Sequence, residues 1–81
     1  MYYTYVLRSL KDKRLYIGST PDLRKRLKEH NSKKVFSTKY RLPLELVYYE
    51  AYCEERYARR REKQLKYFGK AYQELKKRAG L

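Results

Sequence analysis

Two short runs of residues near the start of the sequence combine β-branched and aromatic side chains. They cover residues 2–9 and 14–20 and are rich in tyrosine, valine, isoleucine and threonine. The polar segment Lys-Asp-Lys between them is typical of a turn. The pattern predicts a β-hairpin, and its strands must be antiparallel because the connection is too short for a crossover.

The pairing register of this hairpin decides where two of its tyrosines lie. A slip of one residue would place Tyr5 and Tyr16 on opposite faces of the sheet. Direct pairing of the two tyrosines requires a turn near Leu10 and Lys11, whereas Asp12 favours a turn that is centred later. A β-bulge would reconcile the two arrangements, and the sequence leaves the register open.

A helix is predicted over residues 21–30. A serine or threonine at positions 19 and 20 can cap its N-terminus, and the proline that follows suits the first helical position. Leu23 and Leu27 define the face expected to be buried. At about 100° per residue, Arg26 and His30 both border that face on the same side, one turn apart.

The remaining elements follow from composition and periodicity. Residues 31–41 are polar and basic and predict a loop with one helical turn, and residues 43–52 alternate well enough for a third strand. Two further helices are predicted over residues 54–67 and 70–78, with a glycine between them. The order β-β-α-β-α-α describes one small domain over residues 1–81, an α/β or α+β sandwich of three strands and three helices.

The charge balance indicates a polyanionic partner. Twenty-two Lys and Arg residues stand against nine Asp and Glu residues, which gives a formal net charge of +13. Such a surface attracts nucleic acid at long range and binds it with counterion release. The ion-pair network of a thermophile is an alternative, but it needs roughly equal numbers of the two signs. An acidic membrane surface fits less well, because no predicted helix has an aliphatic lipid-facing side.

Several other classes of protein are disfavoured. Cys53 is the single cysteine, so the chain has neither an internal disulfide nor a Cys/His cluster for zinc. No apolar run is long enough to span a membrane and no leader pattern is present, so a cytoplasmic protein is expected. The sequence also lacks a glycine-rich phosphate loop and the paired-carboxylate motifs of two-metal sites.

A few side chains stand out against this background. Tyrosine occupies 11 of 81 positions, and amphipathic packing in strands explains most of them, with base stacking as an alternative. Arg26 suits bidentate phosphate binding. His30, the single histidine, is either a packed group or a proton-transfer partner. Glu62, at the edge of the buried face of the second helix, forms either a structural ion pair or a single-carboxylate Mg²⁺ site.

These features together resemble the GIY-YIG nuclease family, in particular its small stand-alone bacterial and archaeal members. The letters YIG at residues 16–18, and the segment STPDLRKRLKEHN after them, are similar to the family's second motif and its following helix. YTY at residues 3–5 stands where Gly-Ile-Tyr is expected and keeps the tyrosine. The spacing of the two tyrosines matches, and ARRREKQLK resembles the family's glutamate helix, with its acid at Glu62.

The resemblance implies a three-stranded antiparallel sheet flanked by helices, and hydrolysis of one phosphodiester strand with one divalent ion, Mg²⁺ or Mn²⁺. Glu62 would hold that ion, and Arg26 would balance the charge of the transition state. Tyr5 would take the proton of the attacking water, Tyr16 would orient the water or the phosphate, and His30 would assist in proton relay. Because a free phenol has a pKa of about 10, Tyr5 needs the ion or nearby cations to act as a base.

DNA is the expected substrate, and its phosphates are expected to contact the basic loop and the second helix through Lys33, Lys34, Lys39, Arg41, Arg59, Arg60 and Arg61. The sequence offers no second DNA-binding domain, which leaves room for a protein partner that brings the substrate. Two alternatives stay open. One is a non-catalytic module on the same fold that binds DNA or RNA, and the other is a small ribosome-associated or RNA-binding protein.

Overall fold

The computed structural model describes residues 1–81 and contains three strands and three helices. The strands are β1 (Tyr2–Ser9), β2 (Leu15–Thr20) and β3 (Leu44–Tyr52). The helices are α1 (Leu23–Asn31), α2 (Glu55–Leu65) and α3 (Lys70–Ala79). The order β-β-α-β-α-α confirms the α+β fold predicted from the sequence. None of the helices has the length and apolar character needed to cross a membrane.

The central strand of the sheet is β1, in an antiparallel arrangement with the order β2-β1-β3. Tyr5 lies opposite Gly18 and Leu7 lies opposite Tyr16, so the hairpin turn is centred later than direct pairing of the tyrosines requires. Tyr16 and Gly18 are two residues apart, so Tyr5 and Tyr16 share one face as diagonal neighbours. The pairing irregularity lies on the other side of β1, where its register with β3 shifts between Val6 and Leu7.

Each face of the sheet carries its own apolar cluster, because successive residues of a strand point to opposite sides. On the face covered by α1, called the α1 face, the buried residues are Tyr5, Leu7 and Leu44. On the opposite face, called the α2 face, the buried residues are Val6, Ile17, Leu65 and Leu75. The sheet is therefore the middle layer, and a group at its edge can be reached by side chains from both sides.

Helix α1 begins later and packs differently from the sequence prediction. Its N-cap is Asp22, whose carboxylate accepts a hydrogen bond from the backbone N–H of Lys25 at 3.1 Å. Leu23 and Leu27 are half-buried, and the buried residue of the helix is His30. The helix therefore directs an imidazole, rather than a stripe of leucines, most deeply toward the sheet.

A largely buried ion pair connects α2 to β3. The Arg61 guanidinium donates to both carboxylate oxygens of Glu50 at 3.0 and 3.2 Å, and the hydroxyls of Tyr48 and Tyr52 donate to the same carboxylate at 2.6 and 2.5 Å. Burial disfavours the charge on Glu50, but these hydrogen bonds outweigh it and lower its pKa. The two tyrosines are thus part of the packing, as the amphipathic interpretation predicted.

Leu65 provides a test of the α2 face, because its side chain is fully buried there. We expect Leu65→Ala to lower the free energy of unfolding by about 2–5 kcal/mol, through lost burial and the cavity left behind. Urea denaturation followed by circular dichroism measures this change. The matched control is Leu10→Ala in the exposed hairpin turn, which should change stability by less than about 0.5 kcal/mol. Equal losses in the two variants would contradict this account of the core.

Candidate active site

The phenol of Tyr5 crosses over Gly18 on the neighbouring strand. A Cβ atom added at Gly18 would lie 2.5 Å from the Tyr5 hydroxyl oxygen and 2.6 Å from Cζ. No side chain fits in that space, which is why a glycine occupies the interior of β2 despite its low strand propensity. Since β2 is an edge strand, this close approach carries the Tyr5 hydroxyl from the central strand toward the edge of the sheet.

The Tyr5 hydroxyl is held by a buried histidine of α1. The Nε2 atom of His30 lies 2.9 Å from the Tyr5 oxygen, and its Nδ1 atom lies 2.7 Å from the hydroxyl oxygen of Thr38. Both His30 and Thr38 are fully buried. Burial, reinforced by the positive charge of Arg26, lowers the pKa of His30 to about 4. The imidazole is therefore neutral at pH 7.

His30 links two buried hydroxyls, that of Thr38 at Nδ1 and that of Tyr5 at Nε2. A neutral imidazole carries one N–H, so it donates to one of these oxygens and accepts from the other, according to its tautomer. With the proton on Nε2 and the Thr38 hydroxyl donating to Nδ1, His30 can donate to the Tyr5 oxygen and stabilise a negative charge that develops there.

Tyr16 completes an aromatic cluster around this hydrogen bond. Its ring centroid lies 5.1 Å from that of His30 and 6.5 Å from that of Tyr5. The Tyr16 hydroxyl accepts a long hydrogen bond of 3.4 Å from the side chain of Ser37. The two tyrosines and the histidine therefore lie together on the α1 face, an arrangement that the sequence left open because it did not determine the hairpin register.

The surroundings of Tyr5 favour its neutral form. Burial raises the pKa of Tyr5 to about 12, and repulsion from Tyr16 and Glu62 adds to the rise. The cationic Arg26 guanidinium works in the opposite direction. Arg26 itself is paired with Glu29 at 3.3 Å in a partly exposed contact. Such a pair is weak enough to exchange its carboxylate for a phosphate.

Glu62 reaches the same edge of the sheet from the α2 face. One of its carboxylate oxygens accepts a hydrogen bond of 2.5 Å from Ser19, the residue that follows Gly18 on β2. The other accepts from Lys66, one helical turn later, at 2.7 Å. The side chain is 21% exposed. Tyr5 and Glu62 therefore approach strand β2 from opposite faces of the sheet.

The donor set suits a metal ion that takes few protein ligands. The structure contains no group of three His, Cys, Asp or Glu side chains that could enclose an ion. Mg²⁺ commonly binds through one or two carboxylates and otherwise through water and substrate phosphate. Glu62 fits this pattern, because an ionised carboxylate has about four acceptor positions and two of them are used here, one by an exchangeable lysine.

The cations predicted to bind phosphate differ in their exposure and in whether a carboxylate of the protein is already paired with them. Arg61 is held by Glu50 and is largely buried, and Arg41 is paired with Asp12 at 3.0 Å. The structure thus directs the charge of Arg61 into the protein rather than toward a ligand. Exposed cations are provided by Lys33, Lys34, Arg59 and Arg60, and by the half-exposed Lys39.

Three side chains that position this site were not predicted from the sequence. Ser19 holds Glu62, Ser37 contacts Tyr16, and Thr38 orients His30. Strand alternation could have placed Ser19 on the α2 face, because a residue next to Gly18 points to the opposite side of the sheet. Ser37 and Thr38 lie in a loop, where no periodic pattern predicts which side chains they contact.

Gly18→Ala tests the close approach of the two strands. The added methyl group must displace the buried Tyr5 ring, so we expect a loss of about 1–3 kcal/mol in stability. The hydrogen bond to His30 should lengthen, which the chemical shifts of the single imidazole report. Gly69→Ala is the matched control, because a Cβ there meets no atom within 4 Å, and it should cost about 1 kcal/mol or less. An unchanged imidazole spectrum in Gly18→Ala would refute the packing described here.

The burial of His30 predicts a pH dependence of stability. An unfolded histidine titrates near pH 6.5, whereas the folded protein holds the pKa of His30 at about 4. The unfolded state therefore binds more protons between these values, and stability falls as the pH drops through this window. We expect a slope of roughly 1 kcal/mol per pH unit, measured by urea denaturation between about pH 7 and pH 5. The slope should flatten in His30→Gln, and an equal slope in both proteins would assign the effect to other groups.

Comparisons with known proteins identify relatives of this chain in sequence and in structure. Residues 1–78 match the GIY-YIG catalytic domain. UPF0213 proteins of Streptococcus pyogenes serotypes M3 and M1 are each 53% identical to the chain over 51 residues, which is 62% of this chain and 54% of each relative. The match thus spans about half the length of these curated relatives. The solution NMR structure of a UPF0213 protein from Bacillus halodurans, 34% identical, superposes with a TM-score of 0.55 over 93% of this chain and 81% of that one. The chain belongs to the GIY-YIG family.

Proposed function

We propose that this protein is a metal-dependent endonuclease that hydrolyses phosphodiester bonds in DNA. The observation that carries the proposal is the approach of Tyr5 and Glu62 to strand β2 from opposite faces, with His30 bound to the tyrosine and Ser19 bound to the glutamate. A phenol and a single carboxylate at one edge of the sheet can serve the attacking water and the phosphate of one strand. The net charge of +13 provides the attraction for that substrate.

Tyr5 acts as the proton acceptor for the attacking water in this proposal. Its pKa of about 12 means that the phenol is neutral in the free protein, so it must first lose its proton to solvent. A hydrogen bond donated by His30 Nε2–H and the charge of Arg26 favour the phenolate, and a divalent cation held by Glu62 would favour it further. The phenolate then takes a proton from water as the water oxygen attacks phosphorus, the bond to the leaving oxygen breaks, and that oxygen takes up a proton from solvent.

The other residues position the reactants and neutralise the charge of the phosphate. Tyr16, whose hydroxyl has only a long bond to Ser37, is free to orient the water or the phosphate. Arg26 exchanges Glu29 for a non-bridging phosphate oxygen and balances the charge that grows in the transition state. Glu62 would hold one Mg²⁺ or Mn²⁺ ion, which would supply Lewis-acid stabilisation of the phosphate and of the leaving oxygen. Lys33, Lys34, Arg59 and Arg60 would contact phosphates away from the scissile bond.

A second function has support in the same site. The neutral phenol and the pairing of Glu62 with Lys66 are what a non-catalytic nucleic-acid-binding module built on this fold would show. Such a module would bind DNA or RNA through the exposed cations and leave it intact. Both functions give salt-dependent binding, so cleavage rather than affinity separates them.

Glu62→Gln distinguishes the two functions. It removes the charge that would hold the metal ion, but the amide keeps the shape and can still accept from Ser19. We expect cleavage of a labelled oligodeoxynucleotide in Mg²⁺ or Mn²⁺ to fall at least about 100-fold, in line with loss of a major electrostatic contribution, while binding in chelator remains within about three-fold.

Glu55→Gln is the matched control on the same helix, because Glu55 forms only an exposed pair with Arg59 at 3.5 Å. It should cleave as the wild type does. Metal-dependent cleavage that survives in Glu62→Gln would reject Glu62 as the metal ligand. Binding without cleavage by the wild type on single-stranded, duplex and flap DNA would favour the binding module.

A further inference from the structure

The connection between α1 and β3, residues 32–43, exposes two large aromatic rings. Phe36 is 82% exposed and Tyr40 is 75% exposed. The same segment buries Val35 and Thr38 almost completely. The two inward residues anchor the segment, so the exposure of the rings is a property of an ordered conformation. Val35 is buried, whereas the adjacent Phe36 is exposed to solvent.

The segment that carries these rings contacts the candidate active site. Thr38 is hydrogen-bonded to His30, and Ser37 donates to the hydroxyl of Tyr16. Phe36 is the residue immediately before Ser37, so its backbone lies one Cα step, about 3.8 Å, from a residue that touches the site. Tyr40 follows Thr38 by two residues. A strand whose phosphate lies at the site would therefore pass close to this segment.

A lysine lies between the two rings. The ammonium nitrogen of Lys39 is 4.6 Å from the ring centroid of Phe36 and 5.0 Å from that of Tyr40. This contact covers one face of each ring, and the high exposure of both leaves the opposite face open to solvent. The segment thus presents two open aromatic faces around one cation. Aromatic rings that alternate with cations are the usual way in which proteins bind single-stranded nucleic acid.

The other exposed aromatic residues differ in this respect. Tyr57 has arginines beside its ring but no second ring around the same cation, and Tyr49 packs against Tyr3. Tyr67, 74% exposed, and Phe68 lie in the connection between α2 and α3, and Phe68 packs edge-on against Tyr72 at 5.0 Å. None of these three rings contacts Tyr5, Tyr16 or His30 in the structure. Exposed aromatic residues are common on protein surfaces and need no explanation individually. The combination of open rings, a central cation and anchoring to the site is found only in residues 32–43.

We propose that Phe36 and Tyr40 form a stacking platform for an unpaired nucleobase of the substrate strand. The substrate class is then a single-stranded or locally unpaired segment, with Lys39 contacting its phosphate. A duplex gains little from this platform, because its bases are stacked on one another and offer only their edges. This inference rests on the proposed nuclease function for the position of the strand, but the stacking itself is a binding property that can be measured without cleavage.

The test is equilibrium binding in chelator, with 2-aminopurine at one position of an oligonucleotide. Stacking on an aromatic ring quenches the fluorescence of 2-aminopurine, so the signal reports the contact as well as the affinity. The probes are a single-stranded DNA, a single-stranded RNA and a DNA duplex of the same sequence. The variants are Phe36→Ala, Phe36→Trp and, as a control of equal exposure, Tyr67→Ala.

We expect Phe36→Ala to weaken single-strand binding by roughly 5- to 100-fold and to remove the quenching, with duplex binding changed less than about two-fold. Phe36→Trp should restore both, and Tyr67→Ala should behave as the wild type. Unequal effects on the DNA and RNA probes would assign the platform to one of them. An unchanged single-strand affinity in Phe36→Ala, or an equal loss on duplex, would overturn the inference.

Cleavage separates this inference from the proposed function. If wild-type protein cleaves single strands and Phe36→Ala cleaves them equally well at limiting substrate, the nuclease stands and the platform fails. If no protein cleaves any substrate but the Phe36-dependent quenching is present, the platform stands and the nuclease fails.

Discussion

The site depends on the absence of a side chain at one position of an edge strand. Because Gly18 lacks a Cβ atom, the phenol of Tyr5 can cross from the central strand to the edge of the sheet. The buried His30 can then meet the Tyr5 hydroxyl, and Thr38 holds the other nitrogen of the imidazole. Packing of the sheet and α1 therefore brings the two groups together directly, and the connection between α1 and β3 supports them through Thr38.

The layered architecture explains how so short a chain can place a buried pair, Tyr5 and His30, and a partly exposed carboxylate, Glu62, near one strand. Burial on the α1 face lowers the pKa of His30 and raises that of Tyr5, which keeps both groups neutral. On the α2 face Glu62 remains partly exposed beside Lys66. The thickness of one strand separates the hydrogen-bonded pair of Tyr5 and His30 from this carboxylate, which still adds to the rise in the pKa of Tyr5.

The sequence predicted the elements well because their signals are local. β-Branched and aromatic runs gave the hairpin and β3, and the apolar spacing and helix propensities gave the three helices. The register was not predictable, because it depends on Tyr5 fitting over Gly18 rather than pairing with Tyr16. Leu23 and Leu27 of α1 do pack against the core as predicted, but the deeper burial of His30 was not predictable, because it depends on partners in Tyr5 and Thr38 that allow a polar ring to be buried. Arg61 appeared to be one more surface cation until Glu50, eleven residues earlier on β3, was seen to hold it.

The ion pair of Glu62 differs from the others in the kind of cation that it uses. The other ion pairs all use arginine, and the guanidinium of Arg61 reaches both oxygens of its carboxylate. Glu62 is bound by the ammonium of Lys66, a compact charge on a flexible, half-exposed stem. Any cation that reaches Glu62 must compete with this tethered ammonium, whose effective concentration is high because the two residues are one helical turn apart. Whether Glu62 binds Lys66 or another cation therefore depends on the difference between its affinities for the two. If Lys66 is released, it becomes an additional positive charge at the edge of the sheet.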